Sequence, residues 1–117
     1  MVIGRLERDS LISGEYPLEA IAVTVTEKFN RGDVVAYNAA GELKLADINA
    51  TDGTQNAVGV MTDNITPADG EVVTTTMFIK GEFSISHLRF AENNTVEQHE
   101  RRLIEIGIIP RVTRENV

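Results

Sequence analysis

Cysteine and tryptophan are absent from this 117-residue chain, and other aromatics are scarce, with four Phe and two Tyr. The first absence excludes disulfides, thiolate catalysis and Cys-ligated metal, although it does not fix a compartment. The second leaves aliphatic side chains to build most of the core, and a core that modest leaves room for help from oligomerisation. Positive charge is thin as well. The formal net charge is −7, and between Asp33 and Ile79 seven acids (Asp33, Glu42, Asp47, Asp52, Asp63, Asp69, Glu71) stand against Lys44 alone. Such a surface serves solubility and repels phosphate backbones and anionic lipid, which argues against nucleic acid and membrane as partners. Long apolar runs are also missing. The opening MVIGRLERDSLIS has no apolar h-region and no stretch approaches membrane-spanning length, so neither export nor membrane insertion finds support.

What is present suits one compact domain. Hydrophobic residues make up 42% of the chain, a normal globular share. Residues 1–15 carry alternating charges (Arg5, Glu7, Arg8, Asp9) with scattered Ile3, Leu6, Leu11 and Ile12, and helical spacing there is weak. From Tyr16 the pattern changes. PLEAIAVTVTE alternates Ile21, Val23 and Val25 on one face, which predicts a strand over 19–26. A turn at Gly32 leads to a short strand 33–37, NAAG (38–41) makes a hairpin turn, and ELKLA returns. The RGD tripeptide at 31–33 reads as the turn that starts this strand rather than as an adhesion motif. DINATDGTQN (47–56) is a polar loop. AVGVMT (57–62) is a buried strand whose Gly59 implies a bulge or a close backbone approach, and EVVTTTMFI (71–79) is the longest β-branched run. Thr95 followed by Gln98 fits a capping box, and Gly107 with Pro110 fits a helix stop. Helix 96–106 then places Val96, His99, Leu103 and Ile106 on one stripe, and IIPRV closes as an edge strand. The expected fold class is α+β, mostly β: a small compact barrel-like or sandwich-like domain with one short C-terminal helix.

One stretch resists simple alternation. FIKGEFSISHLRF (78–90) puts Phe83 and Ile85 on one side of a strand and Leu88 and Phe90 on the other. Either both faces are buried, or the backbone breaks between Ile85 and Leu88.

Candidate chemistry is sparse. His87 and His99 lack the ligand spacing a metal site needs, and His99 beside Glu100 reads as ordinary helix surface. Ser84 and Ser86 flank Ile85 next to His87, but on a strand these side chains splay apart, and no elbow glycines accompany them. Paired carboxylates are too many among eighteen acids to single out one pair. No glycine-rich loop precedes a helix in the phosphate-binding arrangement. No catalytic residue, metal ligand or cofactor is assigned, and the chain is not read as an enzyme.

The order of the pieces is more informative than any one of them. The turn DGTQN, the strand AVGVM, a turn-rich gap, VVTTTMFIKGEFSISHLRF, a polar helix and GIIPRV, preceded by SGEYPL and RGDVVAY, form a succession over residues 13–112. This succession resembles the head decoration proteins of lambda-like tailed bacteriophages. The resemblance implies a capsid-stabilising structural protein without a catalytic site. It would assemble in the host cytoplasm and act on the outer surface of the virion head. It also implies a homotrimer seated at three-fold and quasi-three-fold positions of the expanded head, bound to the major capsid protein and resisting internal DNA pressure. The family's flexible N-terminal arm adds a strand to a capsid-protein loop. Here the arm maps to residues 1–15, ahead of a β-rich domain 16–117, with Ile3, Leu6, Leu11, Ile12, Tyr16 and Pro17 as candidate capsid-binding residues. The sequence departs from the best-known member of the family in its shorter, more charged arm and its lack of tryptophan. Within that frame GEF (81–83) becomes the turn that redirects the chain, and SISHLRF holds a helical turn or bulge. The alternatives are a small β-barrel module binding carbohydrate or peptide, with Tyr16 and Tyr37 as its plausible exposed aromatics, or another minor structural protein of a virion.

Overall fold

The computed structural model describes residues 17–112. Its elements are β1 (Glu19–Val25), β2 (Val34–Tyr37), β3 (Leu43–Leu45), β4 (Gly59–Met61), β5 (Val73–Ser84), α1 (Val96–Ile106) and β6 (Ile108–Arg111). Five strands form an antiparallel sheet in the order β1-β5-β4-β2-β3, and β6 joins the far end of β5 in parallel. β5 is long enough to serve both pairings. Its residues 73–80 lie beside β1, and Gly81–Ser84 lie beside Ile108–Arg111. The register against β1 slips at one point. Glu19 faces Lys80 and Ala20 faces Phe78, so Ile79 is the extra residue of a bulge.

The strands form where the residue alternation demands two apolar faces. On one face Val23 and Val25 join Phe29, Val35, Leu43, Met61 and Met77 in a single buried cluster. On the other face Val34, Val60 and Phe78 join Phe83, Leu88, Leu103 and Ile108. The first cluster contains residues from both edge strands, β1 and β3, so the sheet curls around it. An ion pair of 3.0 Å between Glu27 and Lys44 spans the same gap. The two edges are not hydrogen-bonded to each other, so the domain is sandwich-like rather than a closed barrel. The second cluster is roofed by α1 and β6. Helix α1 begins with the expected capping box, in which the Thr95 amide donates to Gln98 Oε1 at 2.9 Å. It ends at Gly107, whose φ of 97° is the left-handed cap that glycine adopts without a Cβ penalty.

The stretch 78–90 breaks as one of the two expectations required. A single 3-10 turn, Ile85–His87, interrupts the chain after β5. Beyond it the chain runs beside the start of β2, where Arg89 N donates to Gly32 O and Val34 N to Arg89 O. Leu88 thereby returns to the same cluster as Phe83, and Phe90 packs against that cluster. The glycine does not make the turn. Gly81, Glu82 and Phe83 continue β5 without interruption, because β6 gives that segment a partner. This corrects the expectation that GEF redirects the chain.

Gly59 meets its other expectation, a close approach. A Cβ there would lie 2.5 Å from Met77 Cγ and 2.6 Å from the Phe78 carbonyl oxygen. The Met77 side chain can move, but the β5 backbone cannot without disturbing its pairing. Gly59→Ala is therefore expected to lower stability by about 2 kcal/mol or more, the upper part of the range for an overfilled core. Chemical denaturation of the variant beside the parent protein checks this.

Candidate functional site

Strand β1 is the least covered strand of the sheet. Glu19, Ala20, Ile21 and Ala22 are all exposed, and only Val23 and Val25 are buried. Among the described residues β1 pairs with β5 alone, so no described strand takes up the backbone N–H and C=O groups of its outer edge. Natural edge strands are commonly blunted by lysine, proline or a bulge that twists the edge away. EAIAVTV holds no lysine or proline, and the extra residue of its one irregularity sits on β5. Leu18 and Ile21 keep 44% and 43% of their surface open, which leaves apolar area beside the free edge.

Next to this edge the curl of the sheet leaves an open cleft of about 400 Å³. Ala22, Val23 and Thr24 of β1 and Thr74 of β5 form one wall, and Tyr37 and Gly41 of the β2–β3 hairpin form the other. The lining offers methyl groups, hydroxyls and one half-open phenol ring. It includes no carboxylate, imidazole or amine, so this cleft can hold an extended chain or a small polar ligand but has no acid–base pair to work on it.

The titratable groups that the fold buries lie elsewhere. Asp33 closes the RGD tripeptide and is nearly covered. It accepts from Asn30 N at 2.7 Å, and burial pushes its carboxyl up against the lowering effects of that amide and of Arg89. Arg31 donates to the Thr62 carbonyl and sits over the Phe78 ring, 5.9 Å from its centroid. The tripeptide is thus a structural turn, as its position before β2 suggested.

His99 departs from its expected role as helix surface. It is 1% exposed and stacks on Phe90, with centroids 4.6 Å apart and planes 8° from parallel. The stripe Val96–His99–Leu103–Ile106 already carried the signal, since a residue on the apolar face of a helix is turned to the core. Its Nε2 lies 2.8 Å from Asn94 Oδ1, which also accepts from Ile48 N at 2.7 Å. Asn94 Nδ2 in turn donates to Asp47 Oδ1 at 3.3 Å and to Glu92 O at 3.1 Å. This network ties the β3–β4 loop to the start of α1.

The serine–histidine group also differs from expectation. Ser86 Oγ lies 3.2 Å from His87 Nδ1 and 3.1 Å from Ser84 Oγ. The splayed arrangement assumed a strand, whereas the 3-10 turn brings neighbouring side chains together. Among the described residues no group of three or more metal-ligating side chains occurs, and no helix is long and apolar enough to cross a membrane.

Of the six candidate arm residues, Ile3, Leu6, Leu11, Ile12 and Tyr16 lie outside the described residues. Pro17 is exposed and lies two residues before β1. The β1 edge left open by the described strands and the cleft beside it were not anticipated from sequence. Both depend on which strands fail to meet, and local alternation does not encode that.

Among the described residues the chain is a β-rich domain with one uncovered sheet edge, an open cleft beside it and a single helix. The family model for bacteriophage lambda head decoration protein D matches residues 10–108, which is 99 of the 117 residues, and the chain belongs to that family. No curated protein matches the sequence. The family is a structural one of the phage capsid rather than an enzyme family, and its role is decoration of the head. The resemblance drawn from motif order therefore holds.

Asn94 organises a polar network that joins the β3–β4 loop to the start of α1. Asn94→Ala would leave the Ile48 amide and the His99 ring without their acceptor. The expected loss is about 1–2 kcal/mol, the cost of leaving the buried His99 ring and the half-buried Ile48 amide without their acceptor. A thermal melt beside the parent protein checks it.

Proposed function

We propose that this protein seats as a homotrimer at the three-fold and quasi-three-fold positions of an expanded phage head, where it binds the major capsid protein. There it holds the shell against the pressure of packaged DNA. The observation that carries this reading is the family match across most of the chain. The physical mechanism is linkage, because a ligand that prefers the expanded shell stabilises it by RT ln(1 + [L]/Kd), about 4 kcal/mol at a thousandfold excess over Kd. Three subunits presenting three contacts gain further through effective concentration.

The proposed contact is the N-terminal arm, residues 1–15. Its backbone would add a strand to a capsid-protein sheet, with Ile3, Leu6, Leu11, Ile12, Tyr16 and Pro17 supplying apolar anchors. Support comes from where the arm joins the domain. It leads through the exposed Pro17 into β1, whose outer edge has no partner among the described residues. An arm that orders on docking loses about 1–2 kcal/mol of backbone entropy per residue, so apolar anchors are needed beside main-chain pairing.

Deleting residues 1–12 is expected to leave the domain folded and its oligomeric state unchanged while abolishing attachment to the shell. Co-sedimentation with expanded empty heads checks it, and undiminished attachment of the truncated protein would count against the arm. The full-length protein is expected to elute as a compact trimer with a mass near three times 12.8 kDa by light scattering. A monomer whose melting temperature rises with added sugar would instead support the carbohydrate-module reading, for which Tyr37 beside the cleft is the available aromatic.

A further inference from the structure

The His99 network suggests a device that head decoration does not require. We infer that His99 is an acid-sensitive latch: while neutral it fastens the β3–β4 loop to the start of α1, and on taking up a proton it lets that loop go.

Geometry carries the inference. The ring is buried, and Phe90 covers one of its faces. Nε2 faces Asn94 Oδ1, an oxygen that can only accept, so Nε2 holds the hydrogen and Nδ1 is a bare lone pair. Nδ1 is also buried and without a hydrogen-bond partner. A neutral ring tolerates that arrangement because an empty acceptor costs little beside an unmade donor. A second proton would create a buried N–H with no acceptor and a charge shielded from water. Nothing in the present packing relieves either problem, so the proton is accommodated by opening the contact to solvent.

The charged neighbours do not reverse this. Asp47, on the loop itself, favours the charged ring, but its Oδ1 is already engaged by the Asn49 and Asn94 nitrogens. Arg89 and Glu92, on the segment that carries Phe90, are both exposed. On α1 itself Glu97, Glu100 and Arg101 are exposed, and Arg102 donates its Nε hydrogen to the Ala57 carbonyl at 2.9 Å. Burial outweighs Asp47 and holds the ring below its ordinary protonation range. For such a group the stabilisation is fully present above the unfolded value, about pH 6.5, and is lost as pH falls from there towards the folded value.

The loop is the part that responds, because Asn94 Oδ1 is shared. The same oxygen holds His99 and the Ile48 amide, so a ring that leaves disturbs the acceptor on which the loop hangs. The Phe29 amide, bonded to Ile65 O at the other cluster, has no connection to this network and serves as the reference.

Amide hydrogen exchange on the full-length protein from pH 7.5 to pH 5, corrected for the intrinsic pH dependence of exchange, tests the latch. Protection of the Ile48 amide is expected to fall tenfold or more across that range while Phe29 changes far less, and His99→Gln is expected to give a flat Ile48 profile. Constant protection at Ile48, an equal loss at Phe29, or the same profile in the variant would overturn the inference. Should the variant fail to fold, ring nitrogen shifts of the parent protein decide. An Nε2-protonated ring titrating below 6.5 supports the latch, and an Nδ1-protonated ring or a midpoint at or above 6.5 refutes it.

Discussion

Strand β5 has apolar residues on both faces and hydrogen-bonding neighbours on both edges. Met77 points into the cluster enclosed by the curled sheet, and Phe78 points into the cluster under α1. Each such side chain contributes about 2–3 kcal/mol by leaving water. The strand therefore links two small cores that neither half of the chain could complete alone. β1 and β4 flank its first part, and β6 extends the pairing to its last four residues. Because β5 cannot shift without breaking both cores, positions that touch it closely, such as Gly59, admit no added atom.

Where local pattern dictates structure, the sequence was legible. Ile21, Val23 and Val25 alternate and form β1, although Ile21 lies at the open rim and stays exposed. Thr95, Gln98 and Gly107 mark a helix that runs over 96–106 as predicted, because caps are local devices. The family was legible in the order of motifs. The errors have separate causes. Gly81 looked like a turn because nothing near it in sequence reveals that β6, some 27 residues on, pairs alongside. His99 looked like surface because its composition outweighed its position on the stripe. The distinction between barrel and open sheet depended on β1 and β3 meeting through side chains and not through backbone. No single segment records such a relation.

The polar interior answers a different requirement from the apolar one. The β3–β4 loop carries little apolar mass, and Asp47, Ile48 and Asn49 gain their order from hydrogen bonds rather than from burial alone. Asn94 satisfies that loop and the helix histidine together, so one side chain replaces the backbone pairing that a strand would have supplied. Directional contacts of this kind fix a loop in one conformation more sharply than apolar packing does. They also make it depend on the protonation of a single ring, a dependence that the sheet clusters, built of Ala, Val, Leu, Ile, Met and Phe, do not share.

The two edges of the sheet show why the body and its contact can be separate. β3 is short, three residues, and Lys44 within it is held to Glu27, two features that discourage further pairing. β1 is seven residues long, mostly open, and free of such devices. An edge of that kind is a liability for a protein that must stay dispersed, unless it remains covered or is the place where the protein makes its attachment. The asymmetry assigns order to the body, where β5 locks two cores, and places the opportunity for pairing at the point where the N-terminal segment enters. Under the proposed arm docking, a decoration protein built this way would keep its own fold independent of the shell and hold on to it by main-chain hydrogen bonding, the least sequence-demanding contact available.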